Sequence, residues 1–174
     1  MRLATIPLAC WMAVALLAAC GPALNWRETN ITATSLSALF PCKPHTASRT
    51  VTLGGKEVQL HMTACDTAGA TFALGHATVS DLQMVSAVLA QWRQATLAGM
   101  RAMDSTASEW SLKRPVTMPQ PVMLTARGAK PDGSTLALQG AWFAQGTEVF
   151  AALVYADLLS ADATEPFFSG LKFR

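Results

Sequence analysis

Residues 134–156 read STLALQGAWFAQGTEVFAALVYA, two apolar runs broken at Gln145-Gly146. A two-residue turn at that break predicts a β-hairpin, 134–144 against 147–156. It would set Trp142 against Val149, Gly140 against Ala151, Leu138 against Leu153 and Leu136 against Tyr155, all on one face. Pro131-Asp132-Gly133 supplies a turn before the hairpin, and residues 122–127 look extended before that turn.

Further upstream, residues 49–53 and 57–65 flank Gly54-Gly55 and read as another hairpin. Val58, Leu60, Met62 and Ala64 alternate with Glu57, Gln59, His61 and Thr63, which predicts one buried and one wet face. A strand over 70–78 would return through a three-residue loop with Gly69 in the left-handed conformation, placing Ala64 opposite Phe72 and Leu60 opposite His76. Ser80-Asp81-Leu82-Gln83 has capping-box spacing and should start a long helix. Its inner stripe would be Leu82, Val85, Val88, Leu89, Trp92, Thr96, Gly99 and Met103. Residues 105–120 are weakly patterned and end among prolines, so they are expected as surface loop, with a short strand around Trp110 as an option. Residues 34–40 predict a brief strand stopped by Pro41 and Pro44. A helix over 160–170 should carry Phe167 and Phe168 inward, with an edge strand at 171–173. Helices that interrupt runs of hairpins argue for an α+β fold: an antiparallel sheet built of hairpins, one long helix on a face and a short C-terminal helix.

The chain opens with Met1-Arg2 and an apolar run over 3–17, then Leu17-Ala18-Ala19-Cys20. A positive start and an apolar run are the marks of a secretory signal. The four-residue end resembles the bacterial lipobox: a branched apolar residue, two small residues and a cysteine whose thiol takes a diacylglyceryl group. The expected organisation is a signal peptide over 1–19, a lipidated N-terminus and tether over 20–30, and one α+β domain over 31–174. The alternative is an uncleaved anchor, but a run of about 17 residues lies at the short limit for a spanning helix. Several acyl chains of the palmitate type at ~0.8 kcal/mol per buried methylene would hold the protein at a membrane, facing the periplasm. Gly21, where an inner-membrane retention signal would place Asp, favours the outer membrane. Cleavage removes Arg2 and no acid, so the net charge falls from +2 to +1. That charge is spread without a basic run, which gives no nucleic-acid footprint.

Cys10 would leave with the leader and Cys20 would carry lipid, so Cys42 and Cys65 remain as an even pair in an oxidising compartment. A disulfide between them is expected. With His45 and His61 they also form the ligand set of a zinc site. However, His61 and Cys65 on one strand would stand roughly 13 Å apart, too far to share a metal ion.

Cys20-Gly-Pro-Ala-Leu-Asn-Trp-Arg-Glu28, Phe40-Pro-Cys-Lys-Pro44, Cys65 and Phe167-Phe-Ser-Gly-Leu-Lys172 resemble a family of uncharacterised lipoproteins of β-proteobacteria. The order of elements, an extended segment ending in Phe-Pro and a terminal Phe-Phe-x-x-Leu, is also similar to the PsbP and Mog1 type of α/β/α sandwich. That resemblance implies an interaction or assembly role.

His45, His61 and His76 are candidate bases for Ser80, Ser105 or Ser134. None of these serines has a nucleophile-elbow context, and no carboxylate is spaced to orient a histidine. No catalytic residue, cofactor or metal is therefore assigned, and the methionines are read as core filler. The expected function is a non-enzymatic, membrane-anchored envelope lipoprotein that serves as an interaction or assembly module, its protein partner unidentified. The alternative is a small-ligand binder with a pocket at Trp92, Met103 and Trp142, between the long helix and the sheet.

Overall fold

The computed structural model describes residues 24–112 and 119–174. Within them the elements run β1 (Arg27–Asn30), β2 (Leu36–Phe40), β3 (His45–Leu53), β4 (Lys56–Thr67), β5 (Ala70–Thr78), α1 (Val85–Gly99), β6 (Asp104–Ser108), β7 (Val122–Ala129), β8 (Thr135–Gln145), β9 (Glu148–Ala156), α2 (Ala161–Ser169) and β10 (Lys172–Phe173). The fold is α+β. A seven-stranded sheet in the order β3-β4-β5-β9-β8-β7-β6 is antiparallel throughout, and a three-stranded sheet in the order β1-β2-β10 lies apart from it.

Both faces of the large sheet are covered. On one, Val85, Val88, Leu89 and Trp92 of α1 pack with Leu60, Ala73, Ala77, Leu138, Trp142, Ala151 and Leu153. On the other, Phe167 and Phe168 of α2 and Leu36, Ala38 and Phe40 of β2 pack with Phe72, Leu74, Phe143, Phe150 and Val154. With two buried faces, the central strands β5 and β9 need apolar residues at consecutive positions rather than at alternate ones.

The turns differ in detail from expectation. Gly54-Gly55 closes β3 onto β4 as expected, both residues at positive φ, as a type I′ turn requires. The β8–β9 turn is Gly146-Thr147, with Gln145 opposite Glu148 and Trp142 opposite Ala151. This is a two-residue shift that leaves every side chain on its expected face. Gly146 takes φ 59° at the first turn position, where type II′ favours glycine. Between β4 and β5 the turn has two residues, Ala68 and Gly69, both at positive φ. The register therefore moves by one: Cys65, not Ala64, faces Phe72, and His61 faces His76. Because side chains alternate, that single step transfers Phe72 and His76 to the face opposite Leu60 and Met62.

The long helix is shorter than its apolar spacing implies. Asp81, not Ser80, caps it: the carboxylate accepts the Gln83 N–H at 2.9 Å, and a 3₁₀ turn over Leu82–Met84 leads into α1. Arg101 at φ 50° ends it, with the Ala102 N–H donating back to the Leu97 carbonyl. Met103 therefore leaves the helix, donates its N–H to the Arg127 carbonyl and stands 76% exposed. Leu82 is 60% exposed, so neither end of the expected stripe belongs to the core. Two further strands replace expected loop. Arg27–Asn30, placed in the tether, pairs with β2, and Asp104–Ser108 pairs with β7. Trp110 packs on Phe143 and Phe168. Phe167 and Phe168 point inward as expected, and Lys172–Phe173 pairs with β2.

Candidate functional site

Cys42 and Cys65 form a disulfide, with their Cα atoms 6.0 Å apart. It joins the segment after β2 to the C-terminal end of β4, the strand next to the edge of the large sheet, and it commits both sulfurs so that neither serves as a thiolate ligand. Among the described residues, no group of three or more histidines, cysteines or acids is placed to hold a metal ion.

A transverse row of side chains crosses the sheet on the α2 face. Ser48, His61, His76, Phe150 and Phe143 are directly opposed on β3, β4, β5, β9 and β8. The Ser48 hydroxyl lies 2.7 Å from His61 Nδ1. The His61 ring stacks on His76 at 4.9 Å, His76 on Phe150 at 6.0 Å, and Phe150 on Phe143 at 5.2 Å. His61 is exposed and His76 is 5% exposed, its Nδ1 buried and without a hydrogen-bond partner among the described residues. Burial, and then the neighbouring His61, pull the His76 pKa from 6.5 down to about 4. His76 is therefore neutral at pH 7. His61 can accept the Ser48 proton in a hydrogen bond, but among the described residues no carboxylate bonds either ring. The pair thus lacks the orienting third group of a serine hydrolase. Ser80 is engaged elsewhere: it accepts the Lys56 ammonium at 3.0 Å.

The expected pocket residues are not brought together. Trp92 and Trp142 are buried in the cluster under α1, whereas Met103 projects into solvent. A cavity of about 260 Å³ does lie between α1 and the sheet, at the other end of the helix. Leu53, Val58, Val79, Met84 and Val88 line it, with Lys56 and Ser80 also on its wall. The Gly54 N–H donates to Gln91 Oε1 at 2.7 Å and ties the β3–β4 turn to α1 beside it.

The remaining ionic contacts lie at the surface. Lys172 bonds Glu28 at 2.9 Å and holds its carboxyl below the usual range, and Lys130 pairs with Asp157. Cys20 and residues 1–19, the expected signal peptide, lie outside the described residues. The chain matches no known family model and no curated protein sequence.

Proposed function

We propose that this chain is an envelope lipoprotein, held by a lipid on Cys20 and facing the periplasm, whose domain is a non-enzymatic binding module for a protein partner. The observation that carries the binding role is strand β3. It occupies one edge of the large sheet and pairs with β4 without interruption from His45 to Leu53. It contains no proline and no bulge, and its first six residues are all exposed. Such an edge offers free backbone N–H and C=O groups to an added strand, and proteins usually blunt it. The Cys42–Cys65 bridge supports an oxidising compartment, and Leu17-Ala18-Ala19-Cys20 supports the anchor. Gly21 favours the outer membrane.

Photo-crosslinking in intact cells tests the role, with the crosslinker at Ala47 or Thr50 on β3 and at Gln94 on α1 as the control. The expected result is one reproducible adduct from the β3 positions and none from Gln94. No reproducible adduct from either β3 position would count against it.

A second reading is a small-ligand-binding periplasmic domain, favoured by the apolar cavity beside Lys56 and Ser80. At about 260 Å³ that cavity is at the low end for a ligand site, which typically spans ~300–1,000 Å³.

A further inference from the structure

Among the described residues, two of the three large apolar side chains that stand exposed, Met103 at 76% and Leu158 at 84%, lie at one end of the seven-stranded sheet; the third, Leu82, lies at the other. The pairings fix this. Ala156, two residues before Leu158, is opposite both Ala70 and Ala137, and Asp104, next to Met103, is opposite Arg127. Leu158 lines a cavity of about 610 Å³ with Asp104, Arg127 and Asp157, and Met103 lines a neighbouring one of about 370 Å³ with Leu97 and Arg101; Asp104 belongs to both, so the two apolar residues lie at the same end on adjoining surfaces. Apolar residues exposed singly need no explanation, but these two share one end of the fold.

The N-terminal segment leaves the fold toward this same end. The Asn25 N–H donates to the Pro41 carbonyl at 2.7 Å, and the Trp26 ring lies 6.2 Å from that of Phe72. Phe72 is opposite Cys65, and both strands run from there into the Ala68-Gly69 turn. Cys20 is four residues before Leu24, so a fully extended link places its Cα within about 14 Å of the domain. A lipid on that cysteine allows little freedom to turn the body over.

We infer that the end of the sheet bearing Met103 and Leu158 rests on the bilayer that holds the Cys20 lipid, with both side chains in the headgroup boundary. This rests on the anchoring reading above. Half-buried Trp26 is suited to the same depth, since an indole ring is enriched at membrane interfaces. Exposed Arg101 and Lys43 supply cations for lipid phosphates. At the same end Asp66, Asp104 and Asp132 balance Lys43, Arg101 and Arg127, and Asp157 is paired with Lys130, so tether and apolar contacts rather than net charge set the orientation. The opposite end, with the Gly54-Gly55 turn, Leu82 and the cavity beside Lys56, then faces away from the membrane.

The test uses the full lipidated protein in vesicles of phosphatidylethanolamine and phosphatidylglycerol, with brominated acyl chains as quencher. A fluorophore is attached in separate variants at Met103→Cys, Leu158→Cys and Leu82→Cys, all at exposed positions. Quenching several-fold greater at 103 and 158 than at 82 is expected. Flotation reports the anchor separately. Protein that co-floats with equal quenching at both ends, or more at 82, overturns the orientation alone. Protein that fails to co-float overturns the anchoring reading and the orientation with it.

Discussion

Strand β5 turns small residues toward α1 and large ones toward α2, the face on which the rings of Phe72, Phe143 and Phe150 lie. β5 presents Ala73, Gly75 and Ala77 toward the helix, and a Cβ on Gly75 would come within 2.8 Å of both Trp92 and the Met62 sulfur. Toward α2 it presents Phe72, Leu74 and His76, with Phe150 of β9 opposite His76. Over β5 the bulk of the first core comes from Trp92 of α1 and from neighbouring strands, with Leu60, Trp142 and Leu153. In the second, β5 brings its own bulk, and Phe40, Phe167 and Phe168 close over it. A strand buried on both faces can thus serve two partners of different shape by alternating small and large residues, without an increase in mean size.

Removing bulk should hurt most on the ring face. Phe150→Ala deletes contacts with Phe143, Phe173 and His76, and urea unfolding should show a loss of about 3–5 kcal/mol. A loss below that of Gly75→Ala would break the contrast. Next, Cys42→Ser with Cys65→Ser opens a link across 23 residues into the ring-face core, and should cost about 3 kcal/mol in the same assay.

The ring face also contains a titrating group. His76 takes up its proton only near pH 4 in the folded chain, against 6.5 in the unfolded one. The unfolded state therefore binds the proton first as the pH falls. Stability should be full above about 6.5 and decline between 6.5 and about 4 by on the order of 3 kcal/mol. His76→Phe should flatten that limb in urea titrations across this range, and a limb of unchanged depth would assign the acid sensitivity to other groups. The smallest of these effects is expected on the helix face. Gly75→Ala overpacks Trp92 and Met62 and should cost about 1–3 kcal/mol, with Met62→Ala in the same chain recovering part of it if the clash is the cause.

Much of this arrangement is legible in the sequence because glycine pairs and period-two alternation identify hairpins. Gly54-Gly55 and the runs around Gly146 show it, and the capping signal near residue 80 locates the start of the long helix to within one residue. The errors have physical sources. Ala68 adopts a positive φ that residue type disfavours, so the β4–β5 turn is one residue tighter than glycine placement implies. Arg101 does the same at the end of α1, and the apolar spacing runs on to Met103 past a stop that carries no glycine. The strands over Arg27–Asn30 and Asp104–Ser108 are short and polar, held by pairing rather than by a pattern of their own. Ser48 could have been found. The Gly54-Gly55 turn sets the β3–β4 register, and that register puts Ser48 opposite His61. The His61–His76 stack could not, because it depends on the turn at Ala68.

The functional account stands on Cys20. Mass spectrometry of the protein purified from the membrane fraction should find a chain that begins at Cys20 and carries a diacylglyceryl thioether and an acylated amine. A purified chain that still begins at Met1, with an unmodified thiol at Cys20, would contradict it.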